Sequence, residues 1–321
     1  MSPTSPVRIA VIDDWQSVAQ GAADWSALAS VGTVDFLADY PAPTAQMVAR
    51  LQPYTVICAM RERTPFDRAL LSQLPQLKLL VTSGMRNAAI DLDAAAALGI
   101  QVCGTGGDGY AAPELTWALI MALARNVLDE ANSLRGGGWQ RTLGRGLHGQ
   151  TLGILGLGKI GQKVAGYGQA FGMHTIAWSE NLTAERAALS GVTYVSRQEL
   201  FERSDILSIH LILSGRSRGL VDAASLAAMK PTALLVNTAR GPIVDETALV
   251  AALRERRIAG AALDVFGQEP LPADHPLRTL DNVLATPHIG YVTQQSYALF
   301  FSQMIEDILA WHADRPVRVM A

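Results

Sequence analysis

The chain has 321 residues, of which 49% are hydrophobic, so it can bury the cores of two domains of ordinary size. Charged residues make up 17%, and 26 basic residues against 29 acidic ones give a formal net charge of −3. This near-neutral balance argues against a nucleic-acid-binding protein, which needs a basic stripe, and against a polybasic membrane-binding surface.

The remaining sequence-wide signals concern cysteines and targeting. Cys58 and Cys103 lie within or at the end of β-type apolar runs, where buried reduced thiols are expected, and they provide no disulfide framework or zinc motif. Residues 2–6 contain no basic residue and precede an apolar run of only about five residues, so no secretory signal is expected. The most apolar helical stretch, residues 115–124, is shorter than the roughly 20 residues of a membrane span, and we predict a cytoplasmic protein.

Short β-branched runs alternate with helical stretches rich in Ala and Leu along most of the chain. A first series of strands is predicted at residues 7–12, 31–37, 54–60, 77–82 and 100–103. A second series is predicted at residues 152–155, 175–178, 206–211, 233–237, 261–265 and 283–285. This alternation is typical of βαβ units, so we predict an α/β fold with two successive, doubly wound parallel sheets.

The connection between the two series is predicted to be helical. Residues 110–134 are interpreted as one helix, apolar on nearly every side in its middle, which we expect to be buried between the domains. The glycines at 136–138 end this helix, and residues 139–149 are interpreted as an irregular connection. A last helix at residues 294–311 follows the second series with no strand after it, and we expect it to pack back on the first domain.

The second series opens with a glycine-rich turn. Residues 151–155 form a β-type run that leads into the GLGKIG segment, residues 156–161, and then into a helical pattern. Gly156 permits a tight turn, Gly158 lets backbone amides approach a pyrophosphate, and Gly161 lets helix and strand pack closely. The phosphates then meet the positive N-terminus of the helix. We therefore predict a dinucleotide site that also includes Lys159 and Ile160.

The next strand ends near Ser179 and Glu180, where an acidic residue is expected to accept hydrogen bonds from the adenine ribose. Glu180 in that position repels a 2′-phosphate, whereas Ser179 in that position leaves room for one. Arg186 neutralises such a phosphate only if the loop folds back. The predicted cofactor is therefore NAD(P), with NAD preferred.

Three polar residues follow successive strands of the second series: Arg240, Glu269 and His288. An open α/β sheet binds its ligands at the carboxyl ends of the strands. The planar fork of an arginine suits a carboxylate, and reduction of a ketone needs a proton donor that titrates near neutrality, which points to an imidazole. A carboxylate on the other ring nitrogen fixes the tautomer of the imidazole and favours its protonated form.

Each of these residues also has a structural interpretation. An arginine after a strand is commonly a surface ion pair, and a lone histidine is commonly a structural residue with its hydrogen bonds satisfied. We interpret most other histidines in that way, namely His148, His174, His275 and His312. His210 is a partial exception, because it lies at a strand end near the expected cofactor site.

Four segments together resemble the D-isomer-specific 2-hydroxyacid dehydrogenases. They are residues 156–161, 237–245 (NTARGPIVD), 264–270 (DVFGQEP) and 286–290 (TPHIG). The match is strongest over residues 147–293 and weaker over the first hundred residues. The resemblance implies that Arg240 binds and polarises the substrate, that Glu269 tunes His288 and that His288 is the acid/base.

The resemblance also implies two domains with different functions. Residues 1–104 and 293–321 would form a flavodoxin-like substrate domain, and residues 105–292 a Rossmann nucleotide-binding domain, with the active site in the cleft between them. Asp264 would contact the nicotinamide amide, and Thr238 and Gly290, in the same motifs, are assigned to the cofactor site. The family further implies a homodimer formed through the nucleotide-binding domain.

A loop in the first domain resembles the substrate-carboxylate loop of this family. It covers residues 83–87 (SGMRN) after the fourth strand, so Met85 and Arg86 are predicted to bind substrate. The family more commonly has a small residue at the position of Arg86. This arginine is interpreted either as part of a surface salt bridge or as a group that engages an acidic substrate.

Related proteins supply the alternatives. Formate dehydrogenases carry glutamine in place of the glutamate, so Glu269 argues against them. Phosphoglycerate dehydrogenases remain a same-class alternative, although no regulatory C-terminal domain is seen here. Non-enzymatic dinucleotide-sensing co-repressors keep this fold and can retain the Arg/Glu/His set; they carry extended tails, whereas this sequence ends at Ala321. The substrate, whether glyoxylate, hydroxypyruvate or a bulkier 2-oxo acid, stays open.

Overall fold

The computed structural model describes residues 7–38 and 44–320. Residues 2–6, whose composition argues against a secretory signal, and Ala321 lie outside the described residues. The chain divides into two compact units, Met1–Asp108 with Val292–Ala321 and Gly109–Tyr291. Within the described ranges, no helix combines the length and the apolar composition that a bilayer span requires.

The first unit contains a five-stranded parallel sheet, in the order β2-β1-β3-β4-β5. Every residue of β3 and β4 is buried, as expected for inner strands covered on both faces. The order is that of flavodoxin-like folds, and the predicted parallel α/β architecture is confirmed. The strands are β1 Val7–Ile12, β2 Gly32–Leu37, β3 Val56–Ala59, β4 Leu79–Thr82 and β5 Gln101–Gly104.

The second unit contains a seven-stranded parallel sheet, in the order β12-β11-β10-β9-β6-β7-β8. The strand order reverses between β6 and β9, which is the switch point where doubly wound sheets bind dinucleotides. The short edge strand β8 was not predicted, because its two exposed residues are too few to show an alternating pattern. The strands are β6 Thr151–Leu155, β7 His174–Trp178, β8 Thr193–Tyr194, β9 Ile206–Ile209, β10 Leu234–Asn237, β11 Gly260–Leu263 and β12 Val283–Ala285.

The α-helices connect and cover these strands. Several begin with a capping side chain, such as the Ser196–Glu199 capping box. The helices are α1 Ala19–Ala22, α2 Thr44–Leu51, α3 Arg68–Leu71, α4 Leu92–Ala97, α5 Ala111–Ala124, α6 Val127–Arg135, α7 Lys159–Ala170, α8 Ala184–Ala188, α9 Arg197–Arg203, α10 Ala223–Ala228, α11 Glu246–Arg254 and α12 Gln294–His312.

The prediction of one helix over residues 110–134 is wrong. Asn126 adopts a left-handed conformation with φ of 51°, and this residue separates α5 from α6. Asn is one of the few non-glycine residues that tolerates this conformation, so the break requires no Gly or Pro in the sequence.

The two helices on either side of this break differ in burial. Leu119 and Ile120 of α5 are buried, and α5 packs against α7, β10 and β11. No residue of α6 is buried, and Val127, Leu128 and Leu134 expose half or more of their surface. The apolar character of the segment therefore serves the core only in α5.

Helix α12 belongs to the first unit, although it follows the second sheet in sequence. It packs against β4 and α1. Its buried face includes Phe300, Phe301, Met304 and Ile308. The last helix therefore contributes to the core around the first sheet.

Candidate active site

The polar residues singled out in the second unit share one edge of its sheet. Because all seven strands are parallel, their carboxyl ends lie on the same side, and the loops that follow them are neighbours. These residues are Gly156 after β6, Ser179 and Glu180 after β7, His210 after β9, Thr238 and Arg240 after β10, Asp264 and Glu269 after β11, and His288 and Gly290 after β12.

His288 and Glu269 are in direct contact. Nδ1 of the imidazole lies 2.6 Å from Oε2 of the carboxylate, and Oε1 accepts a hydrogen bond from the N–H of Phe266 at 2.9 Å. An ionised carboxylate only accepts hydrogen bonds, so the imidazole donates through Nδ1 and Nε2 is left for another partner. The His288 side chain is 19% exposed, which keeps it accessible although it is largely shielded from solvent.

The loop that carries His288 is held by Asp264. Asp264 is buried; Oδ1 accepts hydrogen bonds from the Thr286 hydroxyl at 2.6 Å and the Ile289 N–H at 2.8 Å, and Oδ2 accepts one from the Gly290 N–H at 2.8 Å. Burial raises the pKa of Asp264 above its usual range, and these hydrogen bonds oppose the rise. They anchor the residues on both sides of His288, which has a left-handed conformation with φ of 52° that is uncommon for non-glycine residues.

Arg240 lies in a tight turn after β10. The buried side chain of Asn237 closes this turn: its amide donates to the carbonyl of Arg240 at 3.0 Å and its oxygen accepts from the N–H of Ala239 at 3.0 Å. A Cβ atom on the next residue, Gly241, would lie 2.0 Å from the carbonyl carbon of Phe266. The turn that carries Arg240 therefore packs directly against the turn that carries Glu269.

The glycine-rich turn has the geometry that a pyrophosphate needs. Gly156 has a φ of 103°, and a Cβ atom on Gly161 would lie 2.2 Å from the carbonyl oxygen of Gly156. A Cβ atom on Gly158 would meet nothing within 4 Å, so the backbone is open to a ligand there. Gly158 is the N-cap of α7, and no side chain caps this helix. These residues fit the phosphates of a dinucleotide.

The comparisons with known proteins agree with this arrangement. The family model of the D-isomer specific 2-hydroxyacid dehydrogenase NAD-binding domain matches residues 117–290. The chain belongs to the D-isomer specific 2-hydroxyacid dehydrogenase family. The resemblance predicted from the four motifs is thus confirmed, as is the α/β fold with its two parallel sheets.

Relatives within the family differ in the activity for which they are named. A glyoxylate reductase from Aeropyrum pernix is 44% identical over 76% of this chain and 76% of its own length. A D-3-phosphoglycerate dehydrogenase from Synechocystis is 37% identical over 83% of this chain, which spans about half (49%) of that relative. An oxidoreductase from Ralstonia solanacearum has a similar crystal structure, with a TM-score of 0.93, 39% identity and coverage of 98% of this chain and 96% of that one.

Strand β7 ends at Trp178, so Ser179 is the first residue beyond the strand and the exposed Glu180 is the second. The Arg186 guanidinium returns to the same loop, where its Nη1 donates to the carbonyl of Asn181 at 3.2 Å. A carboxylate and a guanidinium are thus both present at this loop.

His210 and Thr238 line the same edge of the seven-stranded sheet. Nε2 of His210 lies 2.8 Å from the Ser208 hydroxyl, and burial lowers the pKa of His210 to about 3, so the imidazole stays neutral near pH 7. The Thr116 hydroxyl donates to the carbonyl of Ala112 at 2.8 Å and lies 2.7 Å from the Thr238 hydroxyl. Thr238 is therefore the donor in the contact between the two hydroxyls, because Thr116 has a single proton.

The loop of residues 83–87 belongs to the first unit. Gly84 has a φ of 86°, and a Cβ atom there would lie 2.1 Å from Nη1 of Arg61, so the Arg61 guanidinium packs directly on the loop. Met85 and Arg86 are exposed. Across the described part of the chain, the Arg86 side chain makes no ion pair or hydrogen bond, so the salt bridge considered for it is not observed.

Sequence reasoning missed three polar residues beside these segments. Arg61 was not singled out, because its position on Gly84 depends on the pairing of β3 with β4. Glu246 and His275 form an ion pair at 3.2 Å next to the turn of Glu269. His275 was interpreted as structural, and no spacing rule connects it with a glutamate 29 positions earlier. The described ranges contain no group of three His, Cys, Asp or Glu side chains that could hold a metal ion.

Proposed function

We propose that this chain is an NAD(P)-dependent D-2-hydroxyacid dehydrogenase that interconverts a small 2-oxo acid and its 2-hydroxy acid. The observation that carries the proposal is the 2.6 Å contact between His288 Nδ1 and Glu269 Oε2. This contact leaves Nε2 of an accessible imidazole as the one ring nitrogen that can exchange a proton with substrate.

His288 is the acid/base in this proposal. Its imidazole donates a proton to the substrate oxygen during reduction and takes it back during oxidation. Glu269 fixes the tautomer of the ring and stabilises its positive charge, as a carboxylate does in other histidine-based sites. Asp264 keeps the ring in place by holding the segment from Thr286 to Gly290.

Arg240 binds the substrate carboxylate and polarises the adjacent carbonyl. A guanidinium presents two parallel N–H groups, which match the two oxygens of a carboxylate and leave a donor near the 2-oxo group. The closed turn around Asn237 limits how far the Arg240 backbone can move. Met85 and Arg86 of the first unit are assigned to substrate binding as well.

The cofactor is NAD(P), and bound NAD(P)H supplies the hydride for the reduction. Gly156, Gly158 and Gly161, with Lys159 and Ile160, would hold its pyrophosphate at the start of α7. Ser179 and Glu180 would meet the adenine ribose, and His210, Thr238, Asp264 and Gly290 would line the rest of the site. Asp264 already accepts three hydrogen bonds, and an ionised carboxylate can accept about four, so one position is left for the nicotinamide amide. NAD is preferred, because the Glu180 carboxylate repels a 2′-phosphate.

The substrate is proposed to carry a second anionic group. Arg86 is exposed and unpaired among the described residues, and the Arg61 guanidinium packs on the same loop. Arg61 is paired with Glu62, whose Oε2 lies 3.6 Å from Arg61 Nε, so the charge of Arg86 is the one that favours a dianionic 2-oxo acid over one whose only charge is its carboxylate. The phosphate-bearing substrate in the name of the Synechocystis relative is compatible with this preference.

The protein is proposed to be a homodimer. Helix α6 has no buried residue, and Trp139 and Leu143 in the following segment are 75% and 97% exposed. Exposed apolar residues on this scale mark interaction sites more often than free surface. The predicted partner is a second copy of the nucleotide-binding unit.

The test follows loss of NADH and, separately, NADPH absorbance with a panel of glyoxylate, hydroxypyruvate, pyruvate, phenylpyruvate and dianionic 2-oxo acids. We expect turnover with at least one of these acids. Cofactor binding without turnover on any acid would contradict the proposal and point to a dinucleotide-sensing protein.

A further inference from the structure

A second glutamate–histidine pair lies next to the turn that carries Glu269. Glu246 Oε1 is 3.2 Å from His275 Nε2, and Glu246 Oε2 accepts a hydrogen bond from the Gly267 N–H at 2.9 Å. The Glu246 and His275 side chains are 31% and 19% exposed, so the pair is partly shielded from solvent. One carboxylate thus connects the start of α11 with two other segments of the chain.

The hydrogen bonds of His275 determine where its proton lies. Nδ1 of His275 accepts a hydrogen bond from the Leu277 N–H at 3.3 Å, so this nitrogen carries no proton in the observed geometry. Nε2 then carries the proton and donates it to Glu246. His288 is arranged in the opposite way, since it donates through Nδ1 to Glu269 and keeps Nε2 available. His275 therefore has no ring nitrogen left for proton exchange with a substrate.

The backbone of Phe266 and Gly267, through two adjoining peptides, links this second pair to the proposed catalytic residues. The Phe266 N–H donates to Glu269 at 2.9 Å, and the Gly267 N–H donates to Glu246 at 2.9 Å. A Cβ atom on Gly241 would lie 2.0 Å from the Phe266 carbonyl carbon and 2.6 Å from the Gly267 nitrogen. A shift of the Phe266–Gly267 peptide therefore presses on the turn of Arg240, and it reaches Glu269 through the Phe266 Cα and the adjoining Phe266 N–H.

We propose that Glu246 and His275 are positioning residues that fix the Phe266–Gly267 peptide. In this way they keep Glu269 oriented towards His288 and hold the turn of Arg240 in place. The inference rests on the proposed function, because it uses the roles given there to these three residues. Displacements of about 1 Å at a reacting group can cost about a hundredfold in rate, so a residue outside the site can control turnover.

The test compares Glu246→Ala, Glu246→Gln and His275→Ala with the wild type in steady-state kinetics. We expect Glu246→Ala to lower kcat/KM by about ten- to a hundredfold, with the affinity for NADH, measured by fluorescence titration, changed by less than about threefold. Glu246→Gln keeps an oxygen that can accept from the Gly267 N–H, so it should retain most of the activity. His275→Ala leaves α11 intact, and its kcat/KM should lie between those of Glu246→Ala and Glu246→Gln.

Asp222→Ala is the matched stability control. Asp222 caps α10, which packs against α11, and its side chain accepts a hydrogen bond from the Ser225 N–H. This variant should lower the Tm without lowering kcat/KM at a temperature well below the transition. A fall in kcat places the effect on the Glu269–His288 pair and a rise in KM places it on Arg240; both support the inference.

Three results would overturn it. If the wild type is active and both Glu246→Ala and His275→Ala keep its kcat and KM, the inference fails while the proposed function stands. The inference also fails, and the proposed function stands, if Asp222→Ala loses as much activity as these variants for the same fall in Tm. If the wild type itself turns over none of the acids, the proposed function fails and takes this inference with it.

Discussion

At the scale of single residues, the chain contains the same pair of side-chain types, Glu and His, in two different hydrogen-bonding arrangements. Glu269 accepts a hydrogen bond from Nδ1 of His288. Glu246 accepts one from Nε2 of His275, because Nδ1 of that ring already accepts a hydrogen bond from a backbone N–H. Which ring nitrogen the backbone engages therefore determines whether a histidine can exchange a proton with a ligand. Residue type and spacing alone do not contain this information.

His288→Asn should abolish proton exchange while leaving the cofactor site intact. We expect kcat to fall by about two to four orders of magnitude, the range of general acid–base catalysis, with NADH affinity nearly unchanged. Stopped-flow and steady-state absorbance at the NADH band would measure the rate. His312→Asn, at an exposed position on α12, is the control and should behave as wild type. Unchanged turnover in His288→Asn would refute the acid/base assignment.

Arg86→Ala should change the preference among substrates rather than the overall rate. Loss of one charge-assisted hydrogen bond costs roughly ten- to a hundredfold in kcat/KM, and only a substrate with a second anionic group should suffer it. We expect pyruvate to be affected by less than about threefold. Arg68→Ala, at another exposed arginine of the first unit, should change kcat/KM neither for dianionic acids nor for pyruvate. Equal losses for both kinds of acid would show that Arg86 does not recognise the second charge.

Glu180 and Arg186 should control the choice between NADH and NADPH in opposite directions. Glu180→Gln removes a carboxylate that repels the 2′-phosphate, so kcat/KM with NADPH should rise by about tenfold. Arg186→Ala removes a guanidinium that neutralises this phosphate in the proposed site, so activity with NADPH should fall and activity with NADH should hold. If neither variant alters the NADH/NADPH ratio, the adenine ribose binds away from this loop.

At the scale of secondary-structure elements, the long buried strands were predictable from the sequence. The short edge strand and the break between two helices were not. A buried parallel strand is a continuous apolar run, and all eleven predicted strands overlap a strand of the structure, such as β9 at residues 206–209. The edge strand at 193–194 is exposed and too short for a pattern. The helix break at Asn126 depends on a backbone conformation that no residue type imposes.

Some residues of the candidate site were likewise predictable from the sequence, and others were not. Arg240, Glu269 and His288 were found because each follows a strand of one parallel sheet, so the topology brings them to one edge. Arg61 and Glu246 reach their loops through tertiary packing, since each contacts a segment far away in sequence. Such contacts leave no periodic trace in the sequence.

Helix α12 carries a titratable group that couples its stability to pH. Asp307 is buried, its Oδ1 accepts from Arg318 at 2.9 Å, and its Oδ2 has no partner among residues 7–38 and 44–320. Burial raises the pKa of Asp307 to about 7, against an ordinary value of 3.8. The folded chain therefore keeps a proton that the unfolded chain releases, and the free energy of unfolding falls as pH rises between these two values.

Asp307→Asn tests this coupling, because the amide stays uncharged at every pH. The Tm of the wild type relative to that of Asp307→Asn should be higher at pH 5 than at pH 8, by several degrees. Thermal denaturation followed by circular dichroism at both pH values gives the comparison. A difference in Tm that is the same at both pH values would mean that Asp307 has an ordinary pKa in the folded protein.

At the scale of the whole molecule, the proposed dimer depends on the apolar surface of α6 and the segment after it. Replacing Trp139 by Ser and Leu143 by Asp should convert a dimer into a monomer, because a charge in an apolar interface is strongly unfavourable. Light scattering coupled to size-exclusion chromatography measures the mass. Leu189→Asp, at an equally exposed but isolated leucine, should leave the mass unchanged. A wild-type mass equal to that of one chain would contradict the proposal.

The discontinuous first unit has a consequence for biosynthesis. Domains generally fold as units during synthesis, with N-terminal parts first. Here the nucleotide-binding unit is one uninterrupted stretch, Gly109–Tyr291, while the first sheet waits for α12 to emerge from the ribosome. Until then, the apolar surface that Phe300, Phe301 and Met304 will cover stays open on the nascent chain. The part of the chain that is translated first therefore completes its core last, because α12 is synthesised only after the whole nucleotide-binding unit.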